Sequence, residues 1–166
     1  SGNVVVWRER RPSISAEPVR PTVSLEANSD SVAATELKEV LESWAQADRN
    51  AVLGHVGERT RWIDDSMANH PLGVARGAQE IGQALEARWE MIDRGPDGLA
   101  SDLEIREIRE TQFGDRSIVT FDLISKYRGT HASTEYAFVS QIWTETNDKK
   151  QLESSFIATR RQPFDR

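Results

Sequence analysis

The hydrophobic period changes once along this chain, near residue 100, and that change limits the folds open to it. Before it, apolar residues recur every three or four positions. Leu37, Val40, Leu41 and Trp44 form one helical stripe, and Ile81, Leu85 and Trp89 form another. After it, the period is two. Leu103 and Ile105 alternate with Glu104 and Arg106, and Ile108 falls out of phase, which predicts a bulge near Arg106-Glu107. Gly114-Asp115 makes a turn, residues 118–127 a strand apolar on both faces, residues 134–144 a further strand, Asn147-Asp148 a turn, and residues 151–159 the last strand. Helices followed by an antiparallel meander give an α+β fold rather than a parallel βαβ sheet. A sheet apolar on both faces needs two covers, the helices on one side and a second subunit on the other.

Punctuation residues divide the helical part. Ser31 is placed to cap the first helix, and Asp48 to cap a short second one that carries Val52 and Leu53 and ends near Gly54 and Gly57. A strand is predicted over residues 59–64 and a loop over residues 66–77, where Pro71 and Gly73 break regular structure. Gly77 opens the third helix, and Gly95-Pro96-Asp97-Gly98 ends it. The domain is assigned to residues 31–162, preceded by an arm and proline-rich linker over residues 1–30 and followed by a tail over residues 163–166. In the arm, Val4-Val5-Val6-Trp7 followed by Arg8, Arg10 and Arg11 admits two readings. It is either a strand or arm lying on a domain, or the last turn of a membrane anchor with its arginines at the headgroups.

Composition excludes several classes of function. With 37% hydrophobic residues, five Trp and five Phe in 166 residues, there is enough to bury one core. The formal charge of −6 argues against a nucleic-acid partner, which calls for a basic face. The absence of cysteine removes disulfides, thiolate metal sites and cysteine nucleophiles, and leaves the compartment unmarked. No apolar run reaches the ~20 residues of a membrane-spanning helix, so no membrane insertion of the domain is expected. His55, His70 and His131 are scattered, without the spacing of a metal site, and no motif calls for a nucleotide or flavin. Neither a metal nor another cofactor is expected.

Four segments in order carry a family resemblance: Trp44-Ala45-Gln46-Ala47-Asp48, Arg61-Trp62-Ile63-Asp64, Gly77-Ala78-Gln79-Glu80-Ile81, and Lys126-Tyr127-Arg128-Gly129 entering a hairpin of long strands. In this the chain resembles the nuclear transport factor 2-like superfamily, which includes ketosteroid isomerases and SnoaL-like polyketide cyclases. The resemblance implies a cystatin-like cone, in which a curved antiparallel sheet wraps around N-terminal helices and encloses an apolar pocket. It also implies a homodimer formed through the outer sheet face. Two functional readings follow. One is a pocket protein that binds a small hydrophobic molecule, with isomerase, cyclase or hydrolase-like acid–base chemistry as its enzymatic form. The other is a non-catalytic dimerisation or assembly module, or the soluble part of a membrane-anchored protein.

Projected onto that cone, the alternation puts Val119, Phe121, Leu123 and Ser125 on the concave face, with Tyr136, Phe138, Ser140 and Ile142 beside them. Ile118, Thr120, Ile124, Val139, Gln141 and Trp143 form the outward set. The candidate ligand contacts are Trp62, Asp65, Phe121, Leu123, Tyr136, Phe138 and Ser140; for most of the apolar ones, filling the core is the competing role. Asp64 matches the position of the isomerases' catalytic carboxylate, where desolvation at the mouth of an apolar pocket suits a general base. Asp65 is the competing assignment. The isomerases' tyrosine falls near Val40 and their protonated acid at Ser140, so the resemblance carries over no donor pair for a developing oxyanion. Tyr136 is expected to donate one hydrogen bond into the pocket as a polar anchor for the ligand.

Overall fold

The computed structural model describes residues 22–25, 34–93, 100–127 and 133–160. Strand β1 (Thr22–Leu25) comes first, then helices α1 (Ala34–Ala45) and α2 (Arg49–Leu53), strand β2 (Val56–Asp64), two 3₁₀ turns (Asp65–Met67 and Pro71–Gly73), strand β3 (Val74–Arg76) and helix α3 (Gly77–Asp93). Four long strands complete the chain: β4 (Ala100–Phe113), β5 (Arg116–Tyr127), β6 (Ser133–Thr146) and β7 (Lys149–Arg160). They form a single curved, unclosed sheet of order β1-β4-β5-β6-β7-β2-β3. The Val4–Trp7 segment, Ser31, the Gly95–Gly98 turn, the Arg128-Gly129 hairpin and His131 lie outside the described residues.

The helical stripes become the inner layer. Leu37, Val40 and Leu41 are buried on α1, and Ile81, Leu85 and Trp89 are buried on α3. Helix α1 ends in a Schellman motif: Ala47 N–H donates to the Trp44 carbonyl (3.0 Å) and Asp48 N–H to the Ser43 carbonyl (2.9 Å). The motif places Ala47 at φ 55°, a left-handed conformation that favours glycine. Asp48 then caps α2, its carboxylate accepting from Ala51 N–H. At the start of α3, Gly77 has φ 77°, and a Cβ there would stand 3.1 Å from the Glu58 carbonyl of β2. Only glycine allows the helix to begin so close to the strand.

Two expectations about the sheet are corrected. The four long strands form the expected antiparallel meander, but the sheet as a whole is not purely antiparallel: β1 pairs with β4, and β2 with β7, in parallel. Residues 22–25, expected within the linker, supply β1; the alternating Val and Leu of Thr22-Val23-Ser24-Leu25, directly after Pro18 and Pro21, is a strand signal too short to outweigh those prolines. The expected bulge in β4 is present, between Arg106 and Arg109, with Glu107 at φ 54°. Asn147 and Asp148, at φ 54° and 62°, make the two-residue turn whose twist matches a tight hairpin. Strand β2 starts at Val56, three residues earlier than expected, because its first residue continues the pairing with β7 at Leu152.

The third correction changes the site. Register pairs Val119 with Gln141, Phe121 with Val139 and Leu123 with Ala137, and paired residues share a face. The inner face of β6 is therefore Ala137, Val139, Gln141 and Trp143, all buried. Tyr136, Phe138, Ser140 and Ile142 lie on the outer face, half-buried. Because β6 is apolar in both phases, composition alone cannot choose its inward set; the pairing with β5 does, and one residue of slip inverts it.

Candidate functional site

Three charged side chains from distant parts of the chain meet at one end of the inner layer. Asp64 is the last residue of β2 and the cap of the 3₁₀ turn Asp65–Met67. Its Oδ1 accepts from Ser66 N–H (3.0 Å) and from the Ser66 hydroxyl (2.6 Å). Held that way, its Oδ2 lies 3.8 Å from Nε of Arg88 on α3. Nη2 of Arg88 in turn donates to both carboxylate oxygens of Glu135 on β6, at 3.0 and 3.3 Å. The Asp64 and Arg88 side chains are only 7% and 13% exposed, and Glu135 is 31% exposed. The lone carboxyl expected at the mouth of an apolar pocket is thus a carboxylate paired with a buried arginine and tied to Ser66. Beside it, burial pushes the Tyr127 phenol up to about 12; the Glu135 charge pushes the same way, and the Arg88 guanidinium opposes it.

Behind this cluster lies a cavity of about 40 Å³ between α1 and the inner sheet face. That volume is close to the ~30 Å³ share of a single water molecule in the liquid. Leu41, Trp44, Trp62, Leu123, Val139 and Ile157 form its apolar walls, Ser125, Gln141 and Ser155 are its buried polar lining, and Asp64, Arg88, Glu135 and Thr159 stand at its rim. On the outer side of that rim an open cleft of about 1110 Å³ is bounded by the first 3₁₀ turn and the residues after it as far as His70, and by Met91, Tyr127 and Arg160. Arg88, Glu135 and Thr159 line both spaces, so cavity and cleft meet at the Arg88–Glu135 ion pair.

The sequence-predicted residues divide accordingly. Trp62 and Leu123 are cavity walls and Asp64 is at the rim. Phe121 is buried on the same face, within the core. Asp65 faces the cleft and accepts from Thr159 N–H at 2.7 Å, so of the two aspartates it is Asp64 that reaches the cavity. Tyr136, Phe138 and Ser140, on the outer face, are not brought to it. His70 lines the cleft, its Nδ1 accepting from Leu72 N–H as the cap of the second 3₁₀ turn, and His55 packs edge-on against Trp143. Among the described residues no cluster of three metal-ligating side chains occurs, and no helix is long and apolar enough to cross a membrane.

Sequence reasoning missed Arg88, Glu135, Gln141 and Ser155. Arg88 had a signal: it is seven residues after Ile81 and so belongs to the same apolar stripe, where an unexplained cation marks a buried partner. Gln141 and Ser155 had none until the register was known.

No protein-family model matches the sequence, and no curated protein matches it. Solved structures do match the fold. A protein of unknown function with a cystatin-like fold from Nostoc punctiforme aligns with a TM-score of 0.63 at 17% identity, over 84% of this chain and 96% of that one. A ketosteroid isomerase-like protein from Erwinia carotovora atroseptica aligns at 0.62 and 13% identity, over 78% and 95%. An NTF2-like protein of unknown function in nutrient uptake from Rhodospirillum rubrum aligns at 0.58 and 14% identity, over 79% and 100%. The fold is that of the nuclear transport factor 2-like and cystatin-like proteins, as the sequence resemblance implied.

Proposed function

We propose that the chain is a pocket protein that binds a small, largely apolar molecule between α1 and the sheet. The observation that carries this reading is the meeting of the Trp- and Leu-walled cavity with the open cleft at the Arg88–Glu135 pair. Apolar walls with a few convergent polar groups are the composition of a small-molecule site. A ligand of more than a few atoms enters from the cleft by parting that pair, and its outer end then lies against Asp64, Arg88 and Glu135. In an enzymatic form, Asp64 is the group placed to exchange a proton with it. The fold alone does not decide between binding and turnover, because the same architecture carries both.

A thermal-shift and NMR screen of small apolar molecules tests the reading, with Val139→Phe as the control that fills the cavity with a ring. Binders should shift the wild-type melting temperature and the Leu123 and Val139 methyl signals, and in the variant should lose the thermal shift and the Leu123 response. Compounds that bind the variant equally well would place the site elsewhere, and no binder at millimolar concentration would end the proposal.

One further observation favours a second copy of the chain as a partner. Val74 and Phe156 are 65% and 43% exposed, and register sets both on the outer face with half-buried Ile63, Tyr136 and Phe138. Such a patch fits the apolar core of a homodimer interface.

A further inference from the structure

The polar lining of the cavity is ordered in a way that the pocket reading alone does not require. Trp143 Nε1–H donates to Gln141 Oε1 at 3.1 Å, and Gln141 Nε2 donates to Ser155 Oγ at 3.3 Å. An indole nitrogen can only donate, so the atom facing it must be the amide oxygen. That fixes the flip of Gln141 and turns its NH₂ group toward Ser155. The Ser155 hydroxyl, with its oxygen taken as acceptor by Gln141, has its own hydrogen left to give, and it donates to no described residue. Thr159 Oγ1, at the rim of the same cavity, is buried without a hydrogen-bond partner among the described residues. Gln141 is 2% exposed and Ser155 is fully buried, so these are not surface groups that water satisfies freely. Burying them costs free energy unless something completes their hydrogen bonds.

We propose that Gln141, Ser155 and Thr159 form a donor set that reads a neutral acceptor oxygen, such as a carbonyl or an ether, on the buried part of the ligand. The inference rests on the pocket reading above and narrows its substrate class. Trp143 occupies one lone pair of the Gln141 amide oxygen and Gln141 one lone pair of Ser155 Oγ, whereas the second amide hydrogen and both hydroxyl hydrogens are left to give, so three donors await an acceptor, and an amine or ammonium group, itself a donor, serves them poorly. A carboxylate would bring a further anion to a rim already carrying Asp64 and Glu135 against Arg88. A neutral oxygen avoids both problems. Without ligand, water takes its place. Trp143 acts as a positioning residue, holding the amide in the orientation that donates.

The test uses the full chain, ¹⁵N- and methyl-labelled, titrated with acetophenone and with ethylbenzene, which share a ring and chain length and differ by one carbonyl. The ketone should bind at least about tenfold more tightly, because a site built to hydrogen-bond an oxygen rejects the analogue that lacks it. It should also move the Gln141 side-chain amide signals. In Ser155→Ala and Gln141→Leu the preference should fall to within about threefold, in line with the loss of single hydrogen bonds. Thr159→Val, nearly isosteric, keeps the test valid should Gln141→Leu fail to fold. Equal affinity for both probes, with the Leu123 and Val139 methyls responding, would refute the donor set and leave the pocket standing. A ketone preference untouched by Ser155→Ala and Thr159→Val would refute it as well. If neither probe moves those methyls at millimolar concentration, the pocket reading fails and this inference falls with it.

Discussion

Removing the guanidinium of Arg88 should destabilise the fold more than any other single change on the α3 surface. The Arg88→Met substitution keeps much of the aliphatic stem and deletes the charge. At the 3.0 Å separation from Glu135, Coulomb attraction with an effective dielectric near 20 is about 5 kcal/mol, with the more distant Asp64 adding to it. Desolvation of the three groups offsets much of this, but deleting one partner leaves the other charges buried with nothing opposite, which typically costs about 3–5 kcal/mol. Glu135 keeps 31% of its side chain in solvent, which screens its share, so the expected loss is nearer 3 kcal/mol. Urea unfolding followed by tryptophan fluorescence reads this directly. For a slope near 2 kcal/mol/M, the midpoint should fall by about 1.5 M with the slope unchanged. Adding Glu135→Gln to Arg88→Met removes one stranded charge and should recover about 1–2 kcal/mol, a coupling that a double-mutant cycle isolates. A loss below about 1 kcal/mol, with no coupling, would mean that solvent reaches the cluster and that Arg88 does not close the cavity.

Three further outcomes are expected. Ala47→Gly should stabilise the fold by about 0.5–1 kcal/mol, since relief of the left-handed strain outweighs the added freedom of the unfolded chain; chemical denaturation measures it. The Tyr127 phenol, raised to about 12, contributes stability that is complete below its unfolded value near 10 and is lost as pH rises through the folded value. Titration at 295 nm should therefore show one of the two tyrosines ionising late, and Tyr127→Phe should remove both that step and part of the alkaline unfolding. Phe156→Glu should lower the solution mass measured by light scattering toward that of a single chain while the circular dichroism stays unchanged; a mass identical to wild type would exclude the outer face as a self-association surface.

What the sequence disclosed follows from where local signals are strong. Gly77, Asp48, the Asn147-Asp148 turn and the bulge at Glu107 each rest on a backbone conformation or a cap that few residues can supply, so their positions were readable one by one. The inner face of β5 was readable because Val119, Phe121 and Leu123 are large and share a phase. Strand β6 carries apolar residues in both phases, and its inward set was decided by hydrogen-bonded register with β5, a long-range property. The same holds for the rim of the cavity. Asp64, Arg88 and Glu135 lie on three elements, and neither their spacing nor their composition signals that a helix turn and two strand ends converge. Asp64 alone was singled out in the sequence, through the resemblance that matches it to the isomerases' carboxylate.

The order of the sheet has a consequence for how the protein is made. Strand β7 sits between β6 and β2, so the last of the described strands to leave the ribosome joins the β2–β3 hairpin to the β4–β6 ladder. Until it emerges, β2 exposes the backbone edge that later pairs with β7. A nascent chain stalled before residue 149 therefore presents two half-sheets with matching open edges, a template for pairing between chains rather than within one. Synthesis rate across the β6–β7 turn, rather than the stability of the finished fold, sets how long that hazard lasts.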